Sequence, residues 1–350
     1  MLAEQMQNPI FFEQNRVNRV YTGGALFADF FGDDSVDGFQ PEEWVASNVG
    51  ALNKNPAGPK EGVSRVRGTD IYFDDLLRDH AGALLGDRKH FGVLTKILDS
   101  AIRLPVQAHP DKEFSRKHFH SDFGKTEAWL VLATRPDACL YFGFREEITQ
   151  EIFSKAVEDS RTQKDALSKL LHRVPVEPGE VFLIPARLVH AIGYGCLILE
   201  IQEPTDFTIQ PEYWCGDYLL NDHEMYLGLD KETALAVFDY SAVGQRIMDQ
   251  VRKTPRVLEK SATCLTECLI SAQDTPCFCV ERRTLRGGEA ALTQAPAVCV
   301  ITDGSGELLC RGNRWQVRKG DYFFLPWAAK DNASMTTDGR LQWVTCLPPV

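Results

Sequence analysis

The sequence predicts a mainly β protein, with strands gathered into two β-rich regions and helices inserted between them. Three observations carry this reading. Apolar runs of strand length at 128–132, 181–185 and 196–202 are set off by turn residues such as Glu177-Pro178-Gly179-Glu180. From Cys264 onward, short strand-like runs alternate with glycine-rich turns, as at Gly304-Ser305-Gly306-Glu307. Helical spacing of apolar residues is confined to a few stretches.

Taken in order, residues 1–18 are polar and peripheral, and 20–26 read as a strand broken by Gly23 and Gly24, where the backbone can turn as no side chain would allow. Over 70–99 the spacing of Leu76, Leu77, His80 and Leu84 predicts helix, closed off by Pro105. Residues 104–109 are expected as a strand, and the His-rich 116–120 as a solvated loop. A helical insertion is expected over 147–174. Its two apolar stripes, Ile148, Ile152, Phe153, Ala156 and then Ala166, Leu167, Leu170, Leu171, are parted by a polar break at 159–162. Strands at 181–185 and 196–202 flank a loop bearing His190. A helix at 231–240, a polar connection at 249–260 and the second β-rich region complete the chain.

At 350 residues the chain is long enough for two domains, divided here as 1–255 and 256–350. A net charge of −11 argues against nucleic acid, whose phosphate backbone calls for a basic footprint. It leaves room for a small sugar phosphate, which one or two local cations can hold. The N-terminus shows no charged-then-apolar leader, and no run approaches the roughly 20 apolar residues of a membrane span, so a cytoplasmic protein with no membrane partner is expected. Of ten cysteines, Cys264, Cys268, Cys277 and Cys279 cluster in sequence, but no Cys-x-x-Cys pair occurs. Reduced, mostly buried thiols are the expectation.

Chemistry concentrates at Leu104-Pro105-Val106-Gln107-Ala108-His109-Pro110-Asp111 and Gly124-Lys125-Thr126-Glu127-Ala128-Trp129. Along a strand, Gln107 and His109 point to one side and Val106 and Ala108 to the other. Glu127 offers a carboxylate and His190 a second imidazole. Either histidine alone reads as an ordinary half-buried residue; the joint arrangement of Gln107, His109, Glu127 and His190 points to a metal. Two imidazoles, a carboxylate and an amide oxygen suit Zn²⁺ and admit Mn²⁺, Co²⁺ or Fe²⁺.

These words, together with Ile184-Pro185-Ala186, His190-Ala191-Ile192-Gly193 and Glu200-Ile201-Gln202, resemble the type I phosphomannose isomerases, zinc-dependent enzymes of the cupin superfamily. The resemblance extends to Gly23-Gly24, Glu43-Trp44-Val45-Ala46-Ser47 and Leu94-Thr95-Lys96-Ile97-Leu98-Asp99, and covers about the first two-thirds of the chain. It implies two cupin-type (jelly-roll) β-barrels with helical insertions. Residues 1–255 would form the catalytic barrel, and 256–350 a degenerate one that is structural or dimer-forming, since no histidine follows His223. A homo-oligomer is compatible with that arrangement.

The resemblance further implies one Zn²⁺ per chain and an aldose–ketose isomerisation of mannose 6-phosphate to fructose 6-phosphate. Lys125 beside the metal would serve acid/base work, and Glu200, sharing a strand face with Gln202, would relay a proton. Ser47 would border the site and donate to a phosphate or a sugar hydroxyl. Two departures bear on the substrate. Thr22 stands where the family commonly has tryptophan, and Gln210 where it has an active-site arginine; a neutral amide cannot replace the forked, charged donor pair of a guanidinium. Arg187, in the loop before His190, would project a cation into the cleft. The alternatives are an isomerase or epimerase of another or unphosphorylated sugar, and a sugar-sensing cupin without turnover.

Overall fold

The computed structural model describes residues 6–349. Its centre is a seven-stranded antiparallel sheet in which the neighbours run Arg252–Lys253, Val181–Ile184, Glu127–Thr134, Cys196–Gln202, Leu94–Asp99, Glu42–Val45 and Arg16–Val17. Both faces are covered. Trp129, Val131, Phe182, Ile184 and Ile198 pack on a three-stranded sheet made of Cys139–Phe144, Leu171–Pro175 and His190–Ile192. Their alternating neighbours Ala128, Leu130, Val181, Leu183, Leu199 and Ile201 pack on Val280, Val298, Val300, Phe324 and Val344 of the C-terminal sheet. A strand buried on two sides needs apolar residues at nearly every position, which is why these strands read as unbroken apolar runs.

The C-terminal half is an eight-stranded antiparallel sheet dominated by Cys279–Ala291, Ala297–Cys310 and Ala333–Leu347. It folds over its own core of Leu285, Ile301, Leu308, Phe323 and Trp343. The mainly β class is as expected, and neither strand order closes into a ring among the described residues. The N-terminal strand Ile10–Phe11 pairs with Tyr322–Leu325 of the C-terminal sheet, so the two halves share backbone pairing as well as side-chain packing.

Several local expectations are corrected. The helix foreseen over 70–99 is two short helices, Phe73–Asp79 and Ala81–Leu85, followed by the strand Leu94–Asp99, whose two-sided burial hides the alternation. Residues 20–26 form no strand: Gly23 lies against Asp99, where a Cβ would stand 1.8 Å from the Asp99 carbonyl oxygen, and a helical turn begins at Ala25. The 116–120 loop belongs to a helix, Lys112–Phe119, which the Asp111 carboxylate caps by accepting from the Phe114 N–H at 2.8 Å. The insertion at 147–174 is helical only over Gln150–Asp159; Ser160 turns its hydroxyl back on the Val157 carbonyl, and the second apolar stripe is buried through a short 3₁₀ turn and the strand Leu171–Pro175. The helix at 231–240 shortens to Lys231–Leu235, and 249–260 holds the end of a helix, Gln245–Val251, and two strands. Gly304-Ser305-Gly306 lies inside a long strand at a register shift, with the Gly304 backbone pressed on the Arg340 carbonyl. All ten thiols are free; Cys264 and Cys279 are half-buried and the others buried.

Candidate active site

Gln107 and His109 lie on an extended segment stitched to two neighbours. Gln107 exchanges backbone hydrogen bonds with His190, both 2.9 Å, and Ala108 does the same with Ile209. That pairing turns both side chains toward Glu127, the first residue of its strand, which lies opposite Gln202 on one side and Ile184 on the other. His190 opens the short strand opposite Phe142. The site therefore forms where the end of the seven-stranded sheet meets the three-stranded sheet.

His109 Nε2 stands 3.2 Å from Glu127 Oε2, and His190 Nε2 3.3 Å from Glu127 Oε1. The ligand-capable atoms of the three residues lie within 4.8 Å of one another, all buried. Each imidazole has its other nitrogen on a backbone carbonyl: His109 Nδ1 donates to Phe207 O at 2.9 Å and His190 Nδ1 to Leu188 O at 2.8 Å. Protons on Nδ1 leave both Nε2 lone pairs facing Glu127, as in histidines that ligate a metal through one nitrogen while the other N–H is held by a carbonyl. Both Glu127 oxygens are buried without an aligned hydrogen bond, although three nitrogens stand within 3.3 Å. The Lys125 ammonium lies 3.2 Å from Oε2, but two imidazole lone pairs turned on a buried carboxylate remain costly unless a further cation stands among them. The donor set fits a borderline divalent metal. Gln107 presents its amide nitrogen to His190 Nε2 at 3.3 Å, so a half-turn of the amide would bring Oε1 to the same focus.

Charge at this centre is settled by close neighbours. Burial pushes the Glu127 carboxyl up, but the Lys125 charge, 3.2 Å away, outweighs it and holds the group well below the usual carboxylate range. Burial first, then the Lys125 charge, lowers His109 to about 3, so its imidazole is neutral and free to ligate.

A cleft of about 500 Å³ opens beside these residues; the buried Gln107 and Lys125 line it together with the half-buried Asn53 and Gln210 and the exposed Lys54 and His223. Its floor carries a second charged cluster. Lys96, 3% exposed, holds its ammonium 3.6 Å from Glu200, 3.6 Å from Asp206 and 3.7 Å from Glu42. Arg19 bridges two of these carboxylates, at 2.9 Å to Glu42 and 3.1 Å to both Asp206 oxygens. Trp44 lies beneath, its indole N–H donating to Glu42 at 2.6 Å and its ring facing the Lys96 and Arg19 cations. Glu200 is the carboxylate that Arg19 does not touch. Burial, and then the charge of Glu127, raise it to about 6.

The structure thus gathers Gln107, His109, Lys125, Glu127, His190 and Glu200, and brings Gln210 to the cleft wall. Gln210 spends one amide N–H on the Glu224 carbonyl, at 3.0 Å. Two residues lie elsewhere. Ser47 is fully buried and its hydroxyl closes a turn with Val49. Arg187 turns away from the cleft, donating to the carbonyls of Val237 at 3.1 Å and Ala236 at 3.2 Å, where it caps the helix Lys231–Leu235. Sequence reasoning passed over Lys96, Arg19, Glu42 and Asp206. One signal was available: a lysine in the middle of the apolar run Leu94-Thr95-Lys96-Ile97-Leu98 has to find buried carboxylates.

No family model matches the chain. It is 31% identical over 248 residues to the mannose-6-phosphate isomerase ManA of Bacillus subtilis (strain 168), covering 70% of this chain and 72% of that one. It is 28% identical over 346 residues to the mannose-6-phosphate isomerase of Streptococcus mutans, covering 96% and 97%. Among solved structures, the mannose 6-phosphate isomerase from Bacillus subtilis superposes with a TM-score of 0.75 at 22% identity, over 97% of this chain and 99% of that one.

Proposed function

This chain belongs to the mannose-6-phosphate isomerase family, and from that premise we propose that it interconverts mannose 6-phosphate and fructose 6-phosphate with one Zn²⁺ held by Gln107, His109, Glu127 and His190. It is a sugar isomerase, an intramolecular oxidoreductase. The observation that carries the metal is the pair of orphaned Glu127 oxygens facing two Nε2 lone pairs.

When bound there, a divalent metal supplies a Lewis acid and a template for the sugar oxygens. The chain's own groups do the rest. Aldose–ketose interconversion moves a proton between adjacent carbons and another between their oxygens, so it needs a base that can also act as an acid. Glu200, raised to about 6, is suited to take and return a proton near neutral pH. Lys125 Nζ, 3.0 Å from His109 Nε2 and lining the cleft, is placed to donate to a sugar oxygen beside the metal ligands. Lys96 stays charged: burial lowers its proton affinity, but Glu42, Asp206 and Glu200 outweigh that and raise it. Its ammonium favours the anionic form of Glu200 after proton return.

A second reading, isomerisation of another or unphosphorylated sugar, is favoured by one observation. Gln210 is neutral, and one of its two amide N–H groups is engaged by the Glu224 carbonyl. Turnover by zinc-loaded protein, by chelated protein and by the chelated protein resupplied with zinc separates these, followed by NMR in heavy water with mannose 6-phosphate and with mannose. Zinc-restored interconversion of the phosphosugar, with deuterium entering the product, supports the proposal. Turnover of mannose alone would favour the second reading, and activity untouched by chelation would remove the metal from it.

A further inference from the structure

We infer that Lys54 is the cation that receives the substrate's phosphate at the mouth of the cleft. The inference rests on the proposal that the substrate is a sugar phosphate. Four lysines and arginines line the cleft: Arg19, Lys54, Lys96 and Lys125. Three are committed. Arg19 is locked between Glu42 and Asp206, Lys96 stands among Glu42, Glu200 and Asp206, and Lys125 lies against Glu127 and His109. Lys54 is exposed and, among the described residues, has no hydrogen-bond or ion-pair partner.

The loop that carries Lys54 is fastened down on both sides of it. The Leu52 N–H donates to Asp206 Oδ2 at 2.9 Å, the carboxylate that Arg19 and Lys96 already hold. Asn53 donates to the Asn18 carbonyl at 2.9 Å and to Glu61 at 3.0 Å, and accepts from Arg19 at 2.9 Å. Beyond Lys54, the Ala57 N–H donates to Glu61 at 3.2 Å. An uncommitted ammonium is thus displayed over the cleft from a backbone tied to the catalytic floor, so little loop ordering remains to oppose binding.

Apart from these four, no lysine or arginine among the described residues lines the cleft. Gln210 is neutral, and the Glu224 carboxylate accepts from the Tyr218 hydroxyl at 2.7 Å and the Asn221 N–H at 2.9 Å. A phosphate dianion entering the mouth therefore meets Lys54 as its point-charge partner, a role lysine fills without the two-pronged geometry of a guanidinium.

Lys54→Gln and Lys54→Arg, assayed with mannose 6-phosphate and with inorganic phosphate as competitive inhibitor, test this. Loss of a charge-assisted contact predicts a KM for mannose 6-phosphate raised about tenfold in Lys54→Gln with a smaller change in kcat, phosphate inhibition weakened in proportion, and recovery in Lys54→Arg. Unchanged KM and unchanged phosphate inhibition in Lys54→Gln would overturn the inference while leaving the isomerase reading intact. If the wild-type protein does not turn over the phosphosugar at all, that reading falls instead. Phosphate binding followed by ³¹P NMR line width then decides Lys54 alone: weaker binding in Lys54→Gln upholds it, equal binding refutes it.

Discussion

Glu127 sits where desolvation should protonate it and is held ionised by Lys125. Its replacement is correspondingly specific. Glu127→Gln keeps the shape and removes the charge, and metal affinity should fall by more than about 100-fold, beyond the 10- to 100-fold cost of losing a supporting partner; competition with a chromophoric chelator reads this, and undiminished affinity would place the metal elsewhere. Glu200 makes a prediction about pH. With its carboxyl raised to about 6, the base form is lost as pH falls through that value, so kcat/KM should drop on the acid side with a midpoint near there, and Glu200→Gln should abolish turnover over the whole range. The stability sign is opposite to that of an ordinary salt-bridged carboxylate. Between the ordinary carboxyl value of 4.5 and about 6 the folded chain holds more protons at Glu200 than the unfolded chain, so this group's contribution falls as pH rises through that window. Asp206, held below its usual range against burial by Arg19 and Lys96, contributes in the other direction.

The helix Lys112–Phe119 shows how an element far from obvious chemistry sets a ligand. Phe119 stacks on Phe207 with ring centroids 4.6 Å apart, and the Phe207 carbonyl takes the His109 Nδ1 proton. Phe119→Ala should leave most of the fold in place yet free that carbonyl, lowering metal affinity about tenfold through His109 orientation. An unchanged chelator titration would show that the helix has no such role. At the same helix, loss of the Asp111 cap in Asp111→Ala should cost about 1 kcal/mol in a urea titration.

Across the whole molecule the two halves are joined by buried contacts. The Tyr322 hydroxyl donates to Glu43 at 2.5 Å, and burial raises the Glu43 carboxyl. Phe324 packs on Phe73 and Phe91, at 4.9 and 5.3 Å between centroids. A core continuous across the division at 255/256 predicts one cooperative unfolding transition. Phe324→Ala should lower its free energy by about 3–5 kcal/mol without splitting it, as read by circular dichroism and tryptophan fluorescence in parallel. Two separated transitions in the variant would mean that the halves fold independently.

What the sequence by itself determined is what depends on residue type and short spacing. Strand alternation put Gln107 and His109 on one side, the donor chemistry of Gln107, His109, Glu127 and His190 pointed to a divalent metal, and turn residues marked the strand before His190, although His190 itself opens a strand and does not lie in the loop expected for it. Ser47 and Arg187 were misjudged because proximity along the chain to a site says nothing about where a side chain finds its hydrogen bonds, and both found them in backbone groups nearby. Leu94–Asp99 was misjudged because burial on two faces erases the period of two that identifies a strand. The charged floor was decided by tertiary structure alone. Arg19, Glu42, Lys96, Glu200 and Asp206 come from four separate segments, the last two residues sharing one, and only the pairing of Leu94–Asp99 between Glu42–Val45 and Cys196–Gln202 puts Lys96 directly opposite Trp44 on one side and Glu200 on the other. Coulomb attraction in a buried site acts through space over a few ångströms, and no local pattern of residues encodes a distance the chain closes only by folding.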